Sequence, residues 1–270
     1  MDIQQPKLKT VLITGATRGI GAKTAELFLQ NGYTVFGTSR KPDENKQLFS
    51  HFKQFKLLYL DLCDSTSITS LPEQTGSIDI LINNAGVSQI GAAEDTSPET
   101  SIKIFKTNFL GIVELNKCYL PRMRNSGFGR ILHISSLAAK IPLPYSALYA
   151  ASKAALEAYS SALRVEVKKF NIGVTSIYFD YVKTTLPQIE SINEDSPYYQ
   201  SVIHMKKRRD DNMEKGRSAS EVAQIIYKTS MVKKTPSQVC IGNRTKLRSI
   251  LKKILPDFIT ERIIQHKFNV

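Results

Sequence analysis

The sequence predicts an α/β chain built on a doubly wound, parallel sheet of about seven strands. Three observations carry that expectation. Short β-branched runs alternate with longer helical stretches, several of those runs are apolar nearly throughout, and the first run passes directly into a glycine-rich turn that opens a helix. Strands apolar along their whole length suit a sheet covered on both faces, and the intervening helices supply the cover. At 270 residues the chain can bury a sizeable core as a single domain over 1–270, and no Pro/Gly/Ser-rich linker divides it.

In chain order, strands are expected at 10–14, 33–38, 56–60, 78–82, 130–135, 172–179 and 238–241, and helices near 19–31, 98–125, 145–169 and 219–231. The alternation fails over 186–217, where Pro187, Pro197, paired tyrosines and a charge cluster make an insertion longer than most connections. It reads as a lid. With 41% apolar and 23% charged residues, 14 glycines and 11 prolines, disordered and collagen-like classes are excluded. The three cysteines are odd in number and widely spaced, which gives neither a disulfide framework nor a structural zinc site. His51, His133, His204 and His266 are scattered, so no metal is assigned. The polar start of the chain has no signal-peptide core and no 18 apolar residues run together, so a cytoplasmic protein is expected.

After the first strand comes Thr14-Gly15-Ala16-Thr17-Arg18-Gly19-Ile20-Gly21. Gly15 permits the tight turn, while Gly19 and Gly21 let backbone N–H groups and the positive helix end approach a pyrophosphate. Thr17, Arg18 and Ile20 lie within the same loop. Its position after the first strand makes a dinucleotide site of it rather than an ordinary strand-to-helix turn. The second strand ends Thr38-Ser39-Arg40-Lys41, where an NAD-selective site usually carries an acid. Arg40, with Arg18 nearby, suits a 2′-phosphate, so NADP(H) is preferred over NAD(H). Asp43 stands close in sequence, and two solvated arginines are the competing reading.

At the far end of the predicted sheet, Ser135-Ser136 closes the fifth strand, and thirteen residues beyond Ser136 stands Tyr149-Ala150-Ala151-Ser152-Lys153 on a predicted helix. The four-residue spacing puts Tyr149 and Lys153 on one face. An ammonium near the phenol would lower its pKa from about 10 and let it exchange a proton with a carbonyl or alcohol oxygen. Alone, such a pair is as well explained by a packed tyrosine and a solvated lysine.

Thr14 to Gly21, Asn83-Asn84-Ala85-Gly86, Asn108, Ser136, Tyr149 and Lys153, in that order, resemble the short-chain dehydrogenase/reductase family over about residues 9–245. The resemblance implies a single-domain Rossmann-type fold and an oxidoreductase that moves a hydride between nicotinamide and a carbonyl/secondary alcohol pair. It implies Tyr149 as general acid/base, Ser136 orienting the substrate oxygen, Lys153 on the nicotinamide ribose and Asn108 holding a proton-relay water. Asn84, Ala85 and Gly86 then border the cofactor, and Asp61-Leu62 contacts adenine. One departure stands out. Where the family has Pro-Gly-x-x-x-Thr, this chain has Phe179-Asp180-Tyr181-Val182-Lys183-Thr184, which keeps Thr184 and places an acid, Asp180, where it is expected to face the nicotinamide.

Within 186–217, Leu186, Ile189, Tyr198, Tyr199, Val202, Ile203 and Met205 offer apolar cover for a lipophilic substrate. Lys206 to Arg209 is partly neutralised by Asp210, Asp211 and Glu214, so nucleic acid is not an expected partner. Residues 186–270 hold 16 basic and 9 acidic side chains. In the extension over about 244–270, Leu247, Ile250, Leu251, Ile254, Leu255 and Phe258 recur at helical spacing among lysines and arginines. Such a basic amphipathic helix fits peripheral contact with an anionic membrane, or packing on its own domain or a second copy. A homodimer or homotetramer is implied by the resemblance. A non-enzymatic NADP(H)-binding sensor or scaffold is the alternative function, and a sugar-nucleotide epimerase or dehydratase finds little room after Thr185.

Overall fold

The computed structural model describes residues 10–242, 245–247 and 255–268. Its elements, in order, are β1 (Thr10–Ile13), α1 (Gly19–Gln30), β2 (Thr34–Ser39), β3 (Phe55–Tyr59), α2 (Ser65–Thr75), β4 (Ile80–Asn83), β5 (Ser88–Gly91), α3 (Pro98–Phe105), α4 (Gly111–Ser126), β6 (Gly129–Ile134), α5 (Ala147–Val167), β7 (Ile172–Tyr178), β8 (Val182–Lys183), β9 (Gln188–Ser191), α6 (Tyr199–Glu214), β10 (Arg217–Ser218), α7 (Ala219–Met231), β11 (Gln238–Cys240) and α8 (Asp257–Phe268). Seven strands form one sheet in the order β11-β7-β6-β4-β1-β2-β3, and every pairing is parallel. The order reverses between β4 and β2 on either side of β1, which opens a crevice at the C-terminal strand ends where ligands bind in such sheets.

Alternation along each strand divides the core in two. Val11 and Ile13 face one layer with Ile80, Ile82, Leu132 and Ile177, covered by Phe28 of α1 and Val222 and Ile226 of α7. Leu12, Leu81, Ile131 and Val174 point the other way, onto Ile68, Leu115, Leu156 and Leu163 of α2, α4 and α5. β1 and β4 are therefore buried on both faces, as their unbroken apolar runs require.

The expected helix over 98–125 is interrupted. Lys106–Leu110 is a π-turn between α3 and α4, centred on the fully buried Asn108. Past this turn, Gly111 sits so close to Leu62 that a Cβ would stand 2.2 Å from its carbonyl oxygen. The wider turn thus lets the chain reach Val87 with one side chain and press against Leu62 with the next element. α2 was not expected from the sequence, because its apolar stripe is short and Pro72 lies inside it.

The 186–217 segment is largely regular. β9 pairs with β5 in a two-stranded parallel ribbon, and α6 follows. Val202 and Met205 of α6 bury against Ile90 and Ala92, with Ile264 of α8 packed alongside. The expected basic helix falls mostly outside the described residues, which include Leu247 and Leu255 but not Ile250, Leu251 or Ile254. No described helix is long and apolar enough to cross a membrane.

Candidate active site

Two hollows open at the C-terminal ends of the strands. A cleft of about 470 Å³ runs over the glycine loop, and a pocket of about 740 Å³ lies beneath α6 and α8. They meet at Tyr149, Phe179, Thr184 and Leu186, which line both.

The cleft gathers most residues expected to hold a dinucleotide: Gly15, Thr17, Arg18, Gly19, Ile20, Arg40, Asp61, Leu62, Asn84, Ala85, Gly86, Tyr149, Lys153 and Thr184. Gly15 has φ +66° and Gly19 φ +55°, the left-handed region that glycine adopts without strain. Gly21 does not line the cleft. A Cβ there would stand 2.1 Å from the Gly15 carbonyl oxygen, so this glycine lets α1 press against the loop. Asn84 is spent on the same loop: its Nδ2 donates to the Thr14 and Gly15 carbonyls at 2.9 and 3.1 Å, and its backbone N–H, like that of Ala85, donates to Thr14 Oγ1 at 2.9 Å. These bonds tie the ends of β1 and β4 into one rigid wall.

The cleft suits a nicotinamide dinucleotide on two structural counts. Ser135 Oγ is buried at its wall without a hydrogen-bond partner, and such a hydroxyl calls for a polar ligand atom. Near the end of β2, Lys41 pairs with Glu44 at 2.7 Å and Asp43 with Lys46 at 2.9 Å, so the acid that competed with Arg40 in the sequence is engaged elsewhere. Arg18 and Arg40 are exposed on the cleft, and no ion pair within 4.0 Å engages either among the described residues.

The two serines separate by hollow. Ser136 lines the pocket beside Tyr149, and Ser135 lines the cleft. Ser136 caps a short 3₁₀ turn, its Oγ accepting from Ala138 N–H at 3.2 Å, and its hydroxyl lies near enough to the Tyr149 phenol to favour the phenolate. Burial raises the Tyr149 pKa, while the Ser136 hydroxyl and the charge of Arg209 pull it back down. Lys153 is buried and donates from Nζ to the Ile134 carbonyl at 2.9 Å; desolvation lowers its pKa to about 8. Arg209 of α6 is thus a cation whose charge favours the phenolate. Sequence reasoning missed Arg209, because Lys206 to Arg209 read as a solvated charge run and only the fold shows which of the four turns inward.

Asn108 lines neither hollow. Its Oδ1 accepts from Val87 N–H at 2.9 Å, and its Nδ2 donates to the Val87 carbonyl at 2.9 Å and Ser152 Oγ at 3.0 Å. It approaches the site across Gly86, where a Cβ would stand 3.1 Å from Asn108 Oδ1 and 3.5 Å from Lys153 Nζ. Asp180 lines the pocket and not the cleft, next in sequence to Phe179, which lines both. Among the described residues no cluster of His, Cys, Asp and Glu could hold a metal.

A parallel doubly wound sheet with a glycine-lined cleft at its switch point and a Ser-Tyr pair at the cleft's mouth defines a Rossmann-type oxidoreductase site. The short chain dehydrogenase profile matches residues 9–195. The chain belongs to this family and is an oxidoreductase of the short-chain dehydrogenase/reductase type. It is 34% identical over 262 residues to 3-ketodihydrosphingosine reductase of Bacteroides thetaiotaomicron, with 94% of each chain covered. Among solved structures it resembles a short-chain dehydrogenase from Streptomyces avermitilis, with TM-score 0.83, 26% identity and 97% of each chain covered. It also resembles ElxO with NADP bound, with TM-score 0.72, 26% identity and coverage of 87% of this chain and 97% of that one.

Proposed function

We propose that the protein reduces a lipophilic ketone or aldehyde with NADPH. The observation that carries this reading is that Ser136 and Tyr149 line one pocket together, with Tyr149 at the seam between pocket and cleft. Arg18 and Arg40, which no ion pair engages among the described residues, favour a 2′-phosphate, and the structural resemblance to ElxO, solved with NADP, lends support. The relative from Bacteroides thetaiotaomicron is named for a long-chain ketone, 3-ketodihydrosphingosine, which agrees with a pocket walled by Ile90, Leu143 and Met205.

When bound, the cofactor supplies the hydride to the carbonyl carbon. The rest falls to this chain's residues. Ser136 donates a hydrogen bond to the carbonyl oxygen and fixes its direction. Tyr149, kept protonated by burial, gives that oxygen its proton and is left as phenolate. The phenolate then draws on the positive charge of Arg209. Lys153, mostly protonated at neutral pH with its pKa near 8, holds the nicotinamide ribose from the cleft floor. Asn108 acts as a positioning residue: it locks Val87 to α5 and meets Lys153 across Gly86, where a relay water refills the phenol.

The test is NADPH and NADH oxidation against a panel of lipophilic ketones and aldehydes, with Tyr149→Phe alongside. Turnover with NADPH is expected, with a loss on the order of 10²–10⁴ in kcat for the variant while NADPH still binds. A variant as active as the parent would refute the reading.

A further inference from the structure

We propose that the larger pocket takes a ketone, or its alcohol, whose apolar body carries an anionic group held by Arg209. The inference rests on the reductase reading above. The pocket is two-natured. Its walls are apolar through Ile90, Leu143, Met205 and, from α8, Ile263 and Ile264. Its ionic lining, among the described residues, is Arg208, Arg209, Lys215 and Arg217 against the single acid Asp180. That surplus of positive charge suits an anion.

Arg209 is the cation placed for the task. Its neighbours on the lid are paired: Lys206 holds Glu190 at 2.6 Å, and Arg217 reaches Glu221 at 3.7 Å. Among the described residues Arg209 donates only to neutral oxygens, Gln188 Oε1 and Ser88 Oγ, the latter at 2.9 Å. No ion pair within 4.0 Å engages it among the described residues, and Asp210 and Glu190 act on it only through longer-range attraction. A half-buried guanidinium without a carboxylate in contact carries a desolvation cost that an incoming anion offsets. β5 and β9 fix both terminal nitrogens, Nη1 on Gln188 Oε1 and Nη2 on Ser88 Oγ, and each keeps a second hydrogen for an anion in the pocket that Arg209 lines. Planar, five-donor guanidinium matches carboxylate and phosphate alike. Because its charge also reaches the Tyr149 phenol, the anionic group belongs near the reacting carbonyl, with the apolar body running toward α8.

The experiment compares matched substrates with NADPH in excess: 2-oxohexadecyl phosphate against 1-hydroxyhexadecan-2-one, and 4-oxohexadecanoate against its methyl ester. The anionic member of at least one pair is expected to have kcat/KM higher by roughly 10–100-fold, the size of a charge-assisted contact; the pair that shows it separates phosphate from carboxylate. Arg209→Gln is expected to bring that ratio toward unity, and Arg209→Lys to keep part of it. Ratios near unity in the parent overturn the proposal. So does a variant that slows both members equally, because Arg209 would then act on Tyr149 alone. Calorimetry of decyl phosphate with the NADPH-saturated protein is read independently of turnover. If no ketone is reduced, the reductase reading fails, yet an affinity at least about 10-fold weaker in Arg209→Gln still supports the anion site, and unchanged affinity rejects it.

Discussion

His133 is buried and neutral in the centre of the sheet, and its neighbours make protonation costly. Asn116 Nδ2 faces its Nε2 at 3.0 Å, so that nitrogen must accept, and Nδ1 carries the proton toward Ser160 Oγ at 2.5 Å. Asn116 is held in that orientation because its Oδ1 accepts from Asn83 Nδ2 at 3.0 Å. A proton on Nε2 would set two donors against each other, and turning the Asn116 amide would only move the clash to Asn83. Burial, with the Lys153 charge added, drops the pKa from 6.5 to about 3. The folded state therefore binds fewer protons than the unfolded one between these values. Stability from this site is full above pH 6.5 and is lost as pH falls, at about 1.4 kcal/mol per pH unit. Between pH 6.5 and 5, above the range where carboxylates titrate, the loss reaches about 2 kcal/mol, a sizeable share of an ordinary folding free energy. Guanidinium unfolding at half-unit intervals measures it, with His133→Gln as the non-titrating reference. The variant is expected to be less stable at pH 7 but flat over this window. Equal slopes in both proteins would refute the assignment.

Three further outcomes are expected. Replacing Arg40 with Ala should raise KM for NADPH by roughly 10–100-fold and leave KM for NADH nearly unchanged, the loss of one charge-assisted phosphate contact; equal effects on both cofactors would count against a 2′-phosphate there. Gly21→Ala forces the Gly15 carbonyl away from a Cβ 2.1 Å distant, and strain of about 1–3 kcal/mol should lower the melting temperature by roughly 2 °C or more per kcal/mol; an unchanged melt would mean the loop yields freely. The rate of carbonyl reduction should fall as pH rises through about 8, because Lys153 is charged below its lowered pKa and neutral above it; a plateau continuing to pH 9.5 would separate the rate from that lysine.

The sheet was legible because its signal is local. β1, β4 and β7 are apolar runs bounded by turn residues, and each is buried at every position or nearly so. The glycine loop and the Tyr149 to Lys153 spacing were legible for the same reason. What escaped depended on tertiary contact. Nothing in residues 98–125 marks a π-turn, which exists because Asn108 must reach Val87, 21 residues back. Likewise the role of Gly21 is set by Gly15 and Asn84, and only the folded loop shows that its hydrogen atom faces a backbone carbonyl rather than a phosphate. The 186–217 segment lacked a clean period because α6 buries only Val202 and Met205 fully, so most of its positions answer to solvent or to the pocket.

Burial is the first influence on both the tyrosine and the lysine four residues beyond it. Both are drawn into the protein, and desolvation moves them in opposite directions, the phenol upward and the ammonium downward, so that each tends toward neutrality. A neutral phenol is the proper state for giving a proton to a carbonyl oxygen, but the phenolate it leaves behind needs a charge that burial does not suppress. Lysine with a pKa near 8 is a weak source at slightly alkaline pH, whereas guanidinium stays protonated even when its pKa is lowered. Arg209, carried in on α6 and clamped by β5 and β9, lines the pocket and its charge draws the phenol pKa down. The excess positive charge of the last third of the chain is thus partly internal. Some of what reads in the sequence as a basic surface for lipid or nucleic acid is folded inward, where it lines the pocket that Tyr149 also lines.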